Sequence, residues 1–338
     1  MKNAIYISLF FSVFILTSCR QNKLDIDVSS VQINPVEIKR LEKDLFEMDP
    51  NDINAKTSYM VNKYGSFYVR FVTRIINDGG IRDSSYASNL RQFLADRDMR
   101  DAYNECIKKY PDLDFLNQQL TDAFKHFKFY FPQKNIPRVV TYMSGFNYAV
   151  ATDDSTLGIG LEMYLGRNNK FYQMTQFPKY KTLTMDKEYI LPDCMRGWLT
   201  NEFENNQLKD DFLSQIVQCG KIMYLLDAVV PEVDDTLKTG YTCLQLEWCK
   251  KNEFSMWTYF IEQKMLYSMD HAEIMKFITE GPFTSAFGKE SPARTGCWVG
   301  WQIVRSYMSK HPEITLQQLM DDQDAQKILT QSKYKPEK

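Results

Sequence analysis

Apolar positions along this chain change their spacing three times. Residues 4–16 form a nearly unbroken apolar run behind a single positive charge, Lys2, and end in small residues. That is the layout of a secretory signal peptide, and the run is shorter than the roughly 20 apolar residues of a transmembrane helix. From 51 to about 131 the apolar residues recur at helical spacing, with breaks at Gly65, Gly79-Gly80 and Pro111. Phe115, Leu116, Leu120, Ala123, Phe124 and Phe127 lie on one face of an amphipathic helix. The spacing then shortens, and residues 139–142, 146–151 and 157–161 read as strands, the last after the turn Asp153-Asp154-Ser155. Residues 36–41 alternate and read as a strand as well.

Helical spacing returns from 187 onward. It predicts helices over 195–205, 211–229, 244–267 and 296–309, and two short ones near the end, with breaks at Pro231, Gly281-Pro282 and Pro312. There is no internal repeat. Helices, then a small sheet, then helices point to an α+β fold, mostly α, with a small β-sheet flanked by many helices. The expected organisation is a signal peptide over 1–18, a polar tether over 19–34, and one globular domain over 35–338. Within that domain the parts are helical over 35–135, sheet over 137–162, and helical over 185–332.

Composition sharpens this. Hydrophobic residues make up 44% of the chain, with 22 Phe and 20 Tyr, enough for a well-filled core. The net charge of −2 leaves no basic surface for nucleic acid. Beyond Cys19 six cysteines are scattered without a C-x-x-C pair, so this is no small disulfide scaffold, zinc ribbon or thioredoxin-like motif. The four residues ending in Cys19 resemble the bacterial lipobox. The resemblance implies diacylglycerol on the Cys19 thiol, cleavage before it, and acyl chains such as palmitate that hold the chain to a membrane. Two or more chains make a stable anchor.

Familiar catalytic chemistry is missing from the sequence. His126, His271 and His311 have no second His or Cys at ligand spacing. There is no G-x-S-x-G elbow, phosphate loop or dinucleotide fingerprint, and no cofactor is expected. Gly158-Ile159-Gly160 reads as close backbone packing inside a strand. One helical segment has the frame of a zincin peptidase, in which H-E-x-x-H holds zinc and its Glu activates water. Here Asn201 and Asn205 stand at the ligand places and Glu202 at the Glu place. A third ligand place, before a Gly on the following helix, is occupied by Cys219. Neutral carboxamides are poor zinc ligands, so these four positions read as a vestigial metal site without metal. Phe212, Ile216, Cys219, Met223 and Leu226 also form one apolar stripe, which makes Cys219 a small core residue instead.

Longer strings carry a family resemblance. They are residues 137–148, 157–166, 189–195, 260–264, 281–283, 290–304 and 331–336. Together they resemble the gliding motility lipoprotein GldB family of Bacteroidetes. The resemblance implies a part in gliding over surfaces, and a distant similarity to zincin-like peptidases that agrees with the degenerate frame.

Three functions stay open at this point. The first is a non-catalytic lipoprotein of the cell envelope, a pseudo-metallopeptidase facing the periplasm and contacting proteins of the gliding or associated secretion machinery. The second is an atypical hydrolase using Glu202, with Glu204, Cys219 or Glu162 beside it. The third is a peptide- or glycan-binding module built on aromatics such as Tyr142, Phe146, Tyr148, Tyr164, Trp298 and Trp301. Glu162 and Tyr164 are the further cleft candidates.

Overall fold

The computed structural model describes Leu24, residues 26–204 and residues 209–338. Cys19, and with it the signal peptide and the first part of the tether, lies outside the described residues, as does Asn205. Four strands form one mixed sheet: β1 (Ile38–Arg40), β2 (Arg138–Tyr142), β3 (Val150–Asp153) and β4 (Thr156–Gly160). Their order is β1-β2-β4-β3. β1 and β4 run parallel to β2, and β3 runs antiparallel to β4. The β3–β4 hairpin turns at Asp154-Ser155, where Asp153 Oδ1 accepts from the Ser155 N–H at 2.9 Å. β1 draws the start of the otherwise helical first part into the sheet.

Five helices among the described residues frame the site: α1 (Asp114–Tyr130), α2 (Ile190–Glu202), α3 (Phe212–Val229), α4 (Cys243–Glu262) and α5 (Thr295–Lys310). α1 buries Leu116, Leu120, Ala123, Phe124 and Phe127, the face its spacing predicts. α2 begins earlier than the sequence pattern suggests. Pro192 sits in its first turn, where a missing N–H costs nothing. The Asp211 side chain caps α3 by accepting from the Ser214 N–H at 2.8 Å. Thr242 and Gln245 form a capping box at the start of α4. α4 stops at Glu262, short of 267, because Lys264 turns left-handed and a 3₁₀ turn follows.

Two expectations change on contact with the fold. The strand expected over 146–151 is displaced to Val150–Asp153, because Gly145 and Phe146 both adopt positive φ (71° and 65°) and make a tight loop. The apolar stripe on α3 becomes burial almost all round, as befits a helix at the centre of the domain. Cys219 keeps partial exposure at its edge. The expected packing at Gly158 and Gly160 is borne out: a Cβ on Gly158 would run into the Phe67 and Tyr142 rings, and one on Gly160 into the Tyr148 carbonyl. In the stretch read as a tether, Leu24 is only 6% exposed, and it lines a pocket with Tyr224, Met308 and Pro312.

α3 and α5 meet backbone to backbone. A Cβ on Gly220 would collide with the Gly300 carbonyl, one on Gly300 with the Ile216 carbonyl, and one on Gly296 would press on Ile216 and Phe277. Overpacking of this kind costs about 1–3 kcal/mol when neighbours can shift, and backbone cannot shift cheaply. Gly300→Ala is expected to lower unfolding stability by at least about 3 kcal/mol in urea titrations. An exposed control such as Gly288→Ala, where the site is open but φ is +82°, is expected to cost clearly less.

Candidate functional site

The polar face of α2 opens onto a cavity of about 540 Å³. Asp193, Arg196, Gly197 and Thr200 line it, at i, i+3, i+4 and i+7, so one helix face supplies them all. Gly197 lets strand β3 come close: a Cβ there would lie 2.9 Å from Val150 Cγ1. Tyr148 and Val150 form one wall, Phe177, Tyr180 and Lys181 another, and Tyr241, Glu280 and Arg294 a third.

Asp193, Arg196 and Arg294 in this cavity are already held by partners within the protein. Arg196 donates to Asp193 Oδ1 at 2.5 Å and to the Lys238 carbonyl at 3.0 Å. The Tyr164 hydroxyl donates to Asp193 Oδ2 at 3.1 Å. Arg294 donates to the Thr239 carbonyl, and the Tyr241 hydroxyl to the Ala293 carbonyl at 2.7 Å. Burial pushes the Asp193 carboxyl up, against the pull of Arg196 and the Tyr164 hydrogen bond. Arg294 holds a left-handed backbone (φ 58°) at the start of α5, which turns the chain from the cavity wall into that helix.

Glu162 governs the loop behind the Tyr148 wall. It is fully buried, and its Oε1 accepts from the Ser144 N–H (2.5 Å), the Ser144 hydroxyl (2.6 Å) and the Phe146 N–H (3.3 Å). The Ser144 oxygen in turn accepts from the N–H groups of Asn147 (2.9 Å) and Tyr148 (3.0 Å). Oε2 has no partner. Desolvation raises the Glu162 carboxyl to about 7, in spite of the hydrogen bonds that favour its charged form.

The other sequence candidates separate. Tyr164 is at the cavity, with Glu162 one layer behind it. Glu202 pairs with Lys134 at 2.7 Å and does not line the cavity. At about 100° per residue it stands roughly 180° around α2 from Asp193. Asn201 is likewise absent from the lining. Cys219 meets Cys297 of α5 instead. Among the described residues, no group of three or more His, Cys, Asp or Glu side chains is placed to hold a metal ion. Sequence reasoning passed over Asp193, Arg196, Gly197 and Thr200 although their spacing marks a polar face on an otherwise apolar helix. Several strings that carry the family resemblance, through Tyr148, Tyr164, Asp193, Gly281-Pro282 and Pro292–Arg294, converge on this cavity.

The fold and its site define the protein as a mostly helical α+β domain with a polar cavity beside a small mixed sheet. No helix among the described residues is long and apolar enough to cross a membrane. The chain matches the family described as "Gliding motility protein GldB" over residues 21–336, and it belongs to that family. Membership implies a role in gliding motility and association with the cell envelope. No curated protein and no solved structure matches the chain.

The carboxyl of Glu162 makes stability depend on pH. Folded, it keeps its proton to about 7; unfolded, it releases it near the ordinary 4.5. Between those values the folded state binds the extra proton, so stability falls as pH rises and then levels off. The full effect is on the order of 3 kcal/mol. Thermal melts from pH 5 to pH 8 are expected to show this decline, and Glu162→Gln is expected to flatten it. An unchanged slope in the variant would assign the decline to the other buried carboxyls, Glu42 and Asp193, which burial moves the same way.

Proposed function

We propose that the protein is held to a membrane by lipid on Cys19, faces the periplasm, and serves the gliding or associated secretion machinery by contact and not by cutting. The cavity between α2, β3 and the start of α5 is the contact site, and an extended segment of an envelope protein is its occupant. The observation that carries this reading is the state of Asp193. Arg196 holds one carboxylate oxygen and Tyr164 the other, so both oxygens are engaged in holding the cavity wall together. The edge strand supports the choice of occupant. In the β3–β4 ladder the Ala149 carbonyl pairs inward with Gly160, which leaves the backbone groups of Val150 and Thr152 facing away from β4. A half-buried edge whose backbone groups are left unpaired by the sheet can accept an added strand, and the tyrosines beside it supply side-chain pockets. Distant kinship with zincin-like peptidases belongs to the same reading and rests on the sequence frame alone, because Glu202 faces Lys134 and not the cavity.

The hydrolase alternative has one observation in its favour. A carboxyl poised near 7 with one unpartnered oxygen suits a general base, and Glu162 is such a group. It is sealed from solvent, however, and its other oxygen already takes three donors.

Affinity capture through the tagged full chain in its own envelope is expected to retrieve a reproducible envelope protein. Thr200 is exposed at the cavity rim. Thr200→Trp would plug the cavity there and is expected to cut retrieval by roughly tenfold or more. Equal retrieval by the variant would remove the cavity from the reading. Peptide cleavage by the purified chain, lost in Glu202→Gln or Glu162→Gln, would overturn the non-catalytic part.

A further inference from the structure

We propose that Cys219 and Cys297 are a redox-active pair that closes into a disulfide, locking α3 to α5 behind the cavity. The six cysteines among the described residues are all free. Cys106, Cys194 and Cys249 are buried, and Cys243 is exposed at the start of α4. Cys219 and Cys297 both keep partial exposure, each adjoins a glycine of the seam where α3 and α5 touch, and each thiol bears on the ionisation of the other.

The seam between the two helices sets this meeting. Cys219 adjoins Gly220, and Cys297 stands one turn before Gly300, the two glycines whose backbones touch. With no side chain between the helices at that crossing, the sulfurs are brought together by the fold itself. A disulfide needs Cα atoms about 4.4–6.8 Å apart, and close approach of two helix backbones favours such a separation.

The pair is also electrically asymmetric. Cys297 lies in the first turn of α5, where the helix dipole favours a thiolate. The Cys219 thiol, and then the Arg294 and Arg196 cations, hold the Cys297 thiol below its usual value, while Cys219 is pushed up. Cys297 is therefore the attacking sulfur and Cys219 the resolving one.

The oxidant is a small-molecule or protein disulfide. The Cys297 thiolate attacks one of its sulfurs, a mixed disulfide forms, and the other sulfur leaves as a thiolate that takes up a proton. Cys219 then loses its proton and attacks Cys297 Sγ, expelling the second thiol of the oxidant. Two protein thiols are oxidised and one disulfide is reduced to two thiols. The consequence reaches the cavity. Tyr241, Gln245, Glu280, Gly281, Pro282, Ala293 and Arg294 line it, and all lie in the chain segment between the two cysteines. The bond would convert that wall into part of a closed covalent loop.

The test uses the full chain in detergent, treated with oxidised glutathione, alkylated with iodoacetamide, and mapped as peptides without reduction. The expected result is a linked peptide pair joining 219 to 297, present also in Cys243→Ser and lost in Cys297→Ser. Melting temperature is expected to rise by several degrees on oxidation of the wild type and to stay put in Cys219→Ser. Recovery of 219 and 297 as separately alkylated peptides after oxidation, or linkage of either to Cys243, would overturn the proposal. Both wild-type readouts stand even if a serine variant fails to fold.

Discussion

The contact of one helix backbone with another, Gly220 and Ile216 against Gly300, is the constraint around which the rest of the molecule is arranged. α3 has no solvent side to speak of, so its packing partners must surround it: α5 along its length, and α1 and α2 across it. Without a Cβ at the crossing, the two helices approach more closely than side-chain packing allows, and the dispersion contacts of their flanks add up over a long seam. The beginning of α5, with Arg294 ahead of it, inherits its position from that seam. So does the third wall of the cavity.

Polar groups inside this framework are grouped in sets that satisfy one another. Asp227, at the far end of α3, takes Arg305 through both oxygens (2.9 and 3.0 Å), Lys238 at 3.1 Å and the Trp301 indole N–H at 2.9 Å. The Arg305 guanidinium also lies over the Trp301 ring at 3.5 Å. A charge buried this way is tolerable only as a complete set, since removing one member strands the others. Lys238 links this set to the cavity, because its carbonyl accepts from Arg196. Glu162 and Ser144 do the comparable work for the loop that carries Tyr148. The cavity is thus framed by two polar hubs and a backbone seam, each fixed by burial before any ligand is considered.

Much of the architecture was legible in the sequence because periodicity is a local signal. The buried face of α1, the turn at Asp153-Asp154-Ser155, the strand over 139–142 and the long helices on either side of Pro231 all follow from spacing and turn chemistry. The loop from Phe146 onward reads as strand in the sequence because its shape comes from Glu162, a residue far along the chain whose carboxyl gathers the loop's N–H groups. The frame around Glu202 drew notice through its letters, but a motif says nothing about which way its face points. That direction is set by Gly197 against Val150 and by Asp193 with Arg196, and it turns Glu202 toward Lys134. Cys219 showed the same limit: its helix spacing was visible, while its neighbour Cys297 could only be supplied by the fold.

The seating of Leu24 bears on how the molecule is carried. That side chain is lodged near Tyr224 and Met308, so the polypeptide is gripped by the body almost as soon as its described part begins. A pull applied through the preceding residues would arrive at the α3–α5 end of the domain and not at the sheet.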